Sequence, residues 1–232
     1  MFDRRCADPE RMDRSDFDME SARRSFRFIR FVNRCFGGTR IVREFLAERA
    51  LRKAGQPLRV LDVGSGNCDI PLAVSRWARA HGQDIRFTCV EVSPHAAALA
   101  RPALTDEADR ITLIETDIFG FSTSEPFDVA VGSMFFHHFD DESILRLIRH
   151  LRSLVRDSVM INDLLRSPVA YAACAALLAV ASPVVRFDAL LSIRKGFLPG
   201  ELSHLLGHLE EASVSCQRRA LFRIQATVDF GR

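Results

Sequence analysis

Several signals that would assign this chain to a special class are missing from its 232 residues. Charge of one sign is not in excess. The 32 Lys and Arg nearly balance 30 Asp and Glu, and a formal net charge of +2 excludes the electrostatic footprint of a chain built to hold nucleic acid. Cysteine occurs six times but never as C-x-x-C and never with a histidine at zinc-site spacing. No metal is therefore expected, and a reduced, cytoplasmic chain is the simpler expectation. The opening stretch MFDRRCADPERMDRSDFD has no apolar run followed by a cleavage site, so no secretory signal is expected. Internal repeats and low-complexity segments are also missing. Nothing in the sequence reports the oligomeric state.

What is present reads as one α/β unit behind a helical preface. Residues 1–20 are charged and aperiodic and are expected to form a flexible tail. Residues 21–56 turn helical and form an expected N-terminal cap. RRSFRFIRFVNRCF puts Phe28, Phe31, Val32 and Cys35 on one stripe, Gly37-Gly38 breaks the helix, and TRIVREFLAERALRKAG resumes it. After Pro57 the rhythm changes. Strands are expected at 58–64, 85–92, 111–117, 127–134 and 158–164, with helices at 70–81, 94–103 and 141–155. Asp69 with Pro71, and Ser93 with Pro94, supply two helix-start signals. Such alternation means βαβ units, a parallel sheet and helices on both faces. The closing ASVSCQRRALFRIQATVDF reads as two antiparallel strands joined near Arg218-Arg219. The whole of 57–232 is then one domain, with a helical lid inserted at about 165–207. Within it, residues 168–185 are almost wholly apolar and near the lower limit for a membrane span. They contain Tyr171, Ser182 and Pro183, which favours a lid over the active site; peripheral contact with a membrane is the alternative.

The stretch VLDVGSGNCDIP carries the chemistry. A strand that stops at a glycine turn beneath a helix offers backbone N–H groups and a positive dipole end to a ligand. A phosphate-cradling loop needs G-x-x-x-x-G-K-[ST], which this turn lacks. A dinucleotide turn needs G-x-G-x-x-G/A, and here Asp69 would face the pyrophosphate. S-adenosylmethionine has a sulfonium, an ammonium and no phosphate, so Asp62 and Asp69 suit it. Glu91, at the end of the second strand, can accept both ribose hydroxyls. Asp117, with the N–H of Ile118, can read the adenine edge. Three acids at the ends of consecutive strands place one ligand across the crevice where such sheets bind.

With VLDVGSG, VEV, TDIF and FDVAVGSMFFHHFDDE in this order and spacing, the sequence resembles the class I S-adenosylmethionine-dependent methyltransferases. It is most similar to their small-molecule branch, which includes quinone-biosynthesis and polyketide-tailoring enzymes. The resemblance implies a Rossmann-like seven-stranded sheet, mostly parallel with the last strand antiparallel, under a helical cap. It implies cofactor contacts from Asp62, Gly64, Ser65, Gly66, Asn67 and Asp69 in and beside the turn. Glu91 and Val92 follow at the ribose, and Asp117 and Ile118 at the adenine. Ser133 and Met134 would lie along the methionine moiety. One departure is Cys68, which stands where the family often has a third glycine.

Methyl transfer needs a nucleophile held about 3 Å from the sulfonium carbon, with water excluded. A hydroxyl acceptor must also lose its proton, and histidine titrates in the useful range. His137 and His138 follow the fourth strand on the cofactor side. The resemblance points first to His137 as the base, with His138 second. Phe135, beside Phe136 and Phe139, would wall a pocket for an apolar or aromatic substrate. Asp163, ending the fifth strand, would bind a substrate hydroxyl or orient a histidine. Arg30, Asn33 and Arg34 would lie near the mouth. The expected function is methylation, by preference O-methylation, of a small hydroxylated aromatic of polyketide or quinone type, without a metal. The alternative is a non-catalytic, cofactor-binding module acting through a protein partner. A nucleic-acid substrate is opposed by the charge balance and by SMFF where a polar base clamp would stand.

Overall fold

The computed structural model describes residues 1–14, 17–53 and 55–231. The parts of the expected tail at 15–16 and of the expected cap at 54 lie outside the described residues. Helices α1 (Met19–Cys35) and α2 (Gly38–Leu51) precede the alternating region and meet at Gly37, whose φ of 82° only glycine adopts freely. Then come β1 (Leu58–Val63), α3 (Asp69–Ala80), β2 (Ile85–Glu91), α4 (Pro94–Leu104), β3 (Ile111–Glu115) and β4 (Phe127–Ser133). The chain continues with α5 (Asp141–Leu154), β5 (Val155–Leu164), α6 (Pro168–Leu177), α7 (Pro183–Lys195), α8 (Pro199–Leu206), β6 (Ala212–Arg219) and β7 (Arg223–Phe230).

The seven strands form one sheet in the order β3-β2-β1-β4-β5-β7-β6. The first five pair in parallel, and β7 runs antiparallel to both β5 and β6. The strand order reverses between β1 and β4, so the carboxyl ends of these strands open into the crevice where such sheets bind ligands. Alternating side chains feed two apolar layers. Val60 faces Phe45, Leu46, Val74 and Ala78 on one side, while Leu61 and Val63 face Leu147, Leu151 and Leu202 on the other. Ser93 caps α4 with Pro94 at its first position. Asp69 does not cap α3: Cys68 takes that place with φ 56°, and Asp69 begins the helix.

Three expectations are corrected. Residues 1–14 are not loose, because polar anchors fix them to the body. Arg5 donates to the Phe139 carbonyl at 2.6 Å and to Asp141 at 2.8 Å, its guanidinium lies over the Phe197 ring, and Glu10 is fully buried. On α1 the buried face is Ala22, Ser25, Phe26 and Asn33, and Phe31 is exposed. That face carries polar groups because it closes on a cavity rather than on the core. The apolar run 168–185 is two helices, since Ser182 caps a new start at Pro183. Among the described residues no helix is long and apolar enough to cross a membrane.

Candidate active site

A cavity of about 770 Å³ opens at the carboxyl ends of β1, β2 and β4, roofed by α1, α7 and the segment around residues 10–14. Its floor is the turn after β1. Gly64 and Gly66 take φ of 61° and 55°, and a Cβ on Gly64 would stand 2.1 Å from the Phe135 ring. The turn hangs from β2 by the N–H groups of Gly64 and Ser65, both donating to the Val90 carbonyl. Cys68 shares the left-handed conformation, at a cost that glycine would not bear. It is fully buried beside Cys89 in the core behind the turn, which accounts for a side chain there.

Three acids crowd this floor. Glu91 accepts from the Gly66 N–H at 2.7 Å and the Ser93 N–H at 2.8 Å, one on each oxygen. Each oxygen keeps a lone pair for a further donor. Burial raises the Glu91 carboxyl, and these backbone donors oppose the shift. Burial likewise pushes Asp62 well above the usual carboxylate range, with Asp69 and Glu91 adding to it. Asp69 is raised by burial against the pull of Asn33, whose Nδ2 donates to it at 3.2 Å. A positively charged ligand relieves this crowding and a phosphate would worsen it. Asn67 Oδ1, buried on the cavity wall, has no partner, which leaves it ready for an ammonium or hydroxyl donor. Val92 is 65% exposed on the same wall, an apolar face for a flat ring. At the far end Asp117 accepts from the Phe119 N–H at 3.0 Å through one oxygen, and its other oxygen is uncommitted.

The opposite end is built around two histidines in the turn after β4. Met134, with φ 52°, reverses the chain so that Phe136–His138 forms a short 3-10 turn under α5. His137 is buried. Its backbone N–H and ring Nδ1 meet the two oxygens of Asp163 at 3.2 and 2.7 Å, and its Nε2 lies 3.5 Å from Glu10 Oε1. Burial pulls the imidazole down, but Asp163 and Glu10 outweigh it and raise its pKa to about 9. Burial raises Glu10 in turn, yet His137, His138 and Lys195 together lower it to about 2. His138 stacks on His137 with ring centroids 4.3 Å apart, and Asp13 holds its Nδ1 at 3.0 Å. Glu10 is held by Ser192 Oγ at 2.9 Å, and Asp188 fixes the next turn by accepting from the N–H groups of Arg11 and Met12. Asp188, Ser192 and Lys195 recur at helical spacing on one buried face of α7, where Asp188 and Ser192 line the cavity and Lys195 lies 3.6 Å from Glu10.

Residues 60–158 match the family model described as a methyltransferase domain. Over those residues the chain carries a methyltransferase domain. The crowded acids and the glycine turn of this domain fit S-adenosylmethionine as its cofactor. No curated protein matches it in sequence. Among solved structures it is similar to the plantazolicin methyltransferase BpumL in complex with S-adenosylhomocysteine, with a TM-score of 0.68 at 16% identity over 92% of this chain and 88% of that one. It is also similar to magnesium protoporphyrin IX methyltransferase from Synechocystis, with a TM-score of 0.59 at 13% identity over 92% of this chain and all of that one. A third similarity, to an O-methyltransferase from Nostoc punctiforme, has a TM-score of 0.59 at 14% identity over 84% of this chain and 56% of that one.

The methyltransferase brings Asp62, Gly64, Ser65, Gly66, Asn67 and Asp69 to one cavity wall. Glu91, Val92, Asp117, Ile118, Ser133 and Met134 line the same cavity, with Phe135, His137 and His138. Asp163 does not line it. It sits behind His137, so it orients the ring rather than touching substrate. Asp163 and Glu10 raise the pKa of the ring it holds, so His137 is a paired imidazole rather than an isolated one. Asn33 reaches the site through Asp69, while Arg30 and Arg34 do not line the cavity. Glu10 and Arg223 were missed. The fully buried Arg223 donates to Asn33 at 3.0 Å; burial lowers its pKa to about 10, against the carboxylates of Asp163 and Asp69. An arginine on the inward face of a strand was a readable signal. Glu10, one acid in a charged, aperiodic stretch, carried none.

Proposed function

We propose that this methyltransferase methylates a small, apolar or aromatic hydroxylated acceptor, of polyketide or quinone type, on oxygen. The observation that carries the reading is one cavity whose two ends differ. Acids and backbone donors stand at the glycine turn, and a histidine–carboxylate cluster stands at the other end with Phe17, Phe28, Val32, Phe135 and Phe139 on the walls between. About 770 Å³ holds a cofactor with a modest partner rather than a folded chain or a base-paired strand.

When bound, S-adenosylmethionine supplies a methyl carbon to the acceptor oxygen while its carbon–sulfur bond breaks and the electron pair stays on sulfur. Glu91 then binds the ribose hydroxyls, Asp117 and the Ile118 N–H the adenine, and Asp62, Asn67 and Asp69 the ammonium end. Ser133 and Met134 border the methionine chain. His137 faces the acceptor through Nε2, with Asp163 holding the ring in place through Nδ1. The hydroxyl proton passes to the His137–Glu10 pair, whose Nε2 and Oε1 stand 3.5 Å apart. The residues around them exclude water, which strengthens these charges.

The test is transfer of a labelled methyl group to a panel of phenolic acceptors, with primary amines and thiols alongside. Label in an alkali-stable aryl ether supports the reading, and label confined to amines or thiols contradicts it. A second reading concerns the approach of the acceptor. Helix α6 buries only Ala170, and Val169, Leu177 and Val180 around it are exposed, which favours peripheral contact with a lipid surface that holds a lipophilic acceptor. Co-sedimentation with lipid vesicles tests it; retention of the wild type and loss on Val180→Asp support it, and an unbound wild type removes it.

A further inference from the structure

Three side chains from distant parts of the chain converge at the acceptor end of the cavity. Glu10, His137 and His138 each bring a ligand-type atom within 4.8 Å of the other two, and all three line the cavity. We propose that they form a binding site for a first-row divalent transition-metal ion, bound by two imidazoles and one carboxylate with a position left open to the acceptor. The proposal rests on the methyltransferase reading above for the identity of that acceptor, but not for the metal site itself.

Four observations carry it. First, His137 Nε2 is a buried polar atom with no hydrogen-bond partner. It lies 3.5 Å from Glu10 Oε1. That gap is too long for a good hydrogen bond. It is close to the edge of a tetrahedron whose metal–ligand distances are about 2.1 Å, roughly 3.4 Å. Second, every ligand is held from behind. Asp163 sits on His137 Nδ1 at 2.7 Å, Asp13 on His138 Nδ1 at 3.0 Å, and Ser192 Oγ donates to Glu10 at 2.9 Å. Carboxylates on the far nitrogen of ligating histidines fix the tautomer, leave Nε2 for the metal and raise its basicity. Third, the surroundings favour a cation. The carboxylates of Glu10, Asp13, Asp163 and Asp188 surround two imidazoles, with Lys195 Nζ 3.6 Å from Glu10 Oε1 as a counter-charge. Fourth, two imidazoles and one carboxylate suit zinc, iron or cobalt rather than magnesium or calcium, which prefer oxygen. Three protein ligands and an open fourth position are the arrangement of a metal site that meets substrate. An ion there faces the acceptor hydroxyl and lowers its pKa.

The probe is cobalt(II), added to the full-length protein after stripping with a chelator. Calorimetry measures the stoichiometry, and the visible d–d spectrum reports the geometry. One equivalent is expected to bind with a four- or five-coordinate spectrum and no thiolate charge-transfer band. Glu10→Gln and His138→Gln are each expected to weaken binding at least tenfold. His208→Gln is the control, since exposed His204 and His208 form an adventitious surface pair and their loss leaves the site intact. Circular dichroism and S-adenosylhomocysteine affinity check that each variant is folded. Absence of saturable binding overturns the proposal, as does binding that survives both site variants or disappears in His208→Gln. Retained S-adenosylhomocysteine binding without cobalt binding removes the metal site and leaves the methyltransferase reading standing. Loss of both in the wild type removes the two together.

Discussion

The two ends of the cavity are built on different plans. The glycine-turn end draws on residues 62–69, 91–92 and 117–118, at the carboxyl ends of β1, β2 and β3, which follow one another along the chain. The acceptor end joins residues 10–13, 137–138, 163 and 188–195, which the chain supplies from both of its ends and its middle. The first plan is local: each acid falls where a strand stops, and the strand pattern alone locates it. The second plan is global. Its acids and imidazoles are buried as a charged cluster whose members hold one another, so removing one leaves its partners uncompensated. The local end is therefore expected to be tunable without loss of fold, and the global end is not.

The largest effect expected from this contrast is at Asp163. Asp163→Ala removes the acceptor for the His137 N–H, its ring and the Leu164 N–H, leaving the buried ring with Glu10 alone as its charge partner. Breaking such a pair costs about 3–5 kcal/mol. Urea unfolding measures it, and a loss under 1 kcal/mol would dissolve the contrast. Next is Glu91→Ala, which should leave stability nearly unchanged while cofactor affinity falls. The charge-assisted hydrogen bonds lost are worth about 1.5–3 kcal/mol, or ten- to a hundredfold in affinity. Equal losses of stability and affinity would place Glu91 in the same category as Asp163. His137→Gln is expected to lower kcat at least tenfold in single-turnover assays while cofactor affinity stays within about twofold. Wild-type turnover in this variant would take His137 out of the reaction.

A smaller effect is expected from pH in chelated protein. His137, facing Asp163, Glu10 and His138, has a folded pKa of about 9 against an ordinary 6.5. Its stabilising contribution is whole below pH 6.5 and is lost as pH rises through 9. Glu10, facing His137, His138 and Lys195, is held at about 2 against 4.5, so its contribution is whole above pH 4.5 and is lost as pH falls through 2. Wild-type stability should decline between pH 6.5 and 9 more steeply than that of His137→Gln; parallel profiles would contradict the assignment. The smallest is Asp188→Ala. It frees the Arg11 and Met12 amides and should raise their hydrogen-exchange rates without changing those in β1.

The same contrast decides what could be read in advance. Strand ends at Glu91 and Asp117 and the switch from helical to alternating rhythm at Pro57 declared the sheet and its crevice, because periodicity and turn chemistry act over a few residues. The reversal at Asp69 was misplaced by one position, since the left-handed conformation of Cys68 makes it the cap and a non-glycine there is not predictable from propensity. Phe31 and Cys35 were set on the wrong face of α1 because that helix closes a polar cavity, so its inward arc includes Ser25 and Asn33. Nothing in the stretch ADPERMD reveals that Glu10 sits against His137. The information lies in the shape of the lid, where Ser192 and Asp188 receive it, and pairs separated by more than a hundred residues leave no local pattern.

The central claim is that the glycine turn and its acids hold S-adenosylmethionine independently of the histidine cluster. Its most direct test is a calorimetric titration of S-adenosylhomocysteine into the wild type, Glu91→Ala and His137→Gln. Saturable binding in the wild type and in His137→Gln, with at least tenfold weaker binding in Glu91→Ala, is the predicted result. Binding that is indifferent to Glu91, or lost with His137, would contradict it.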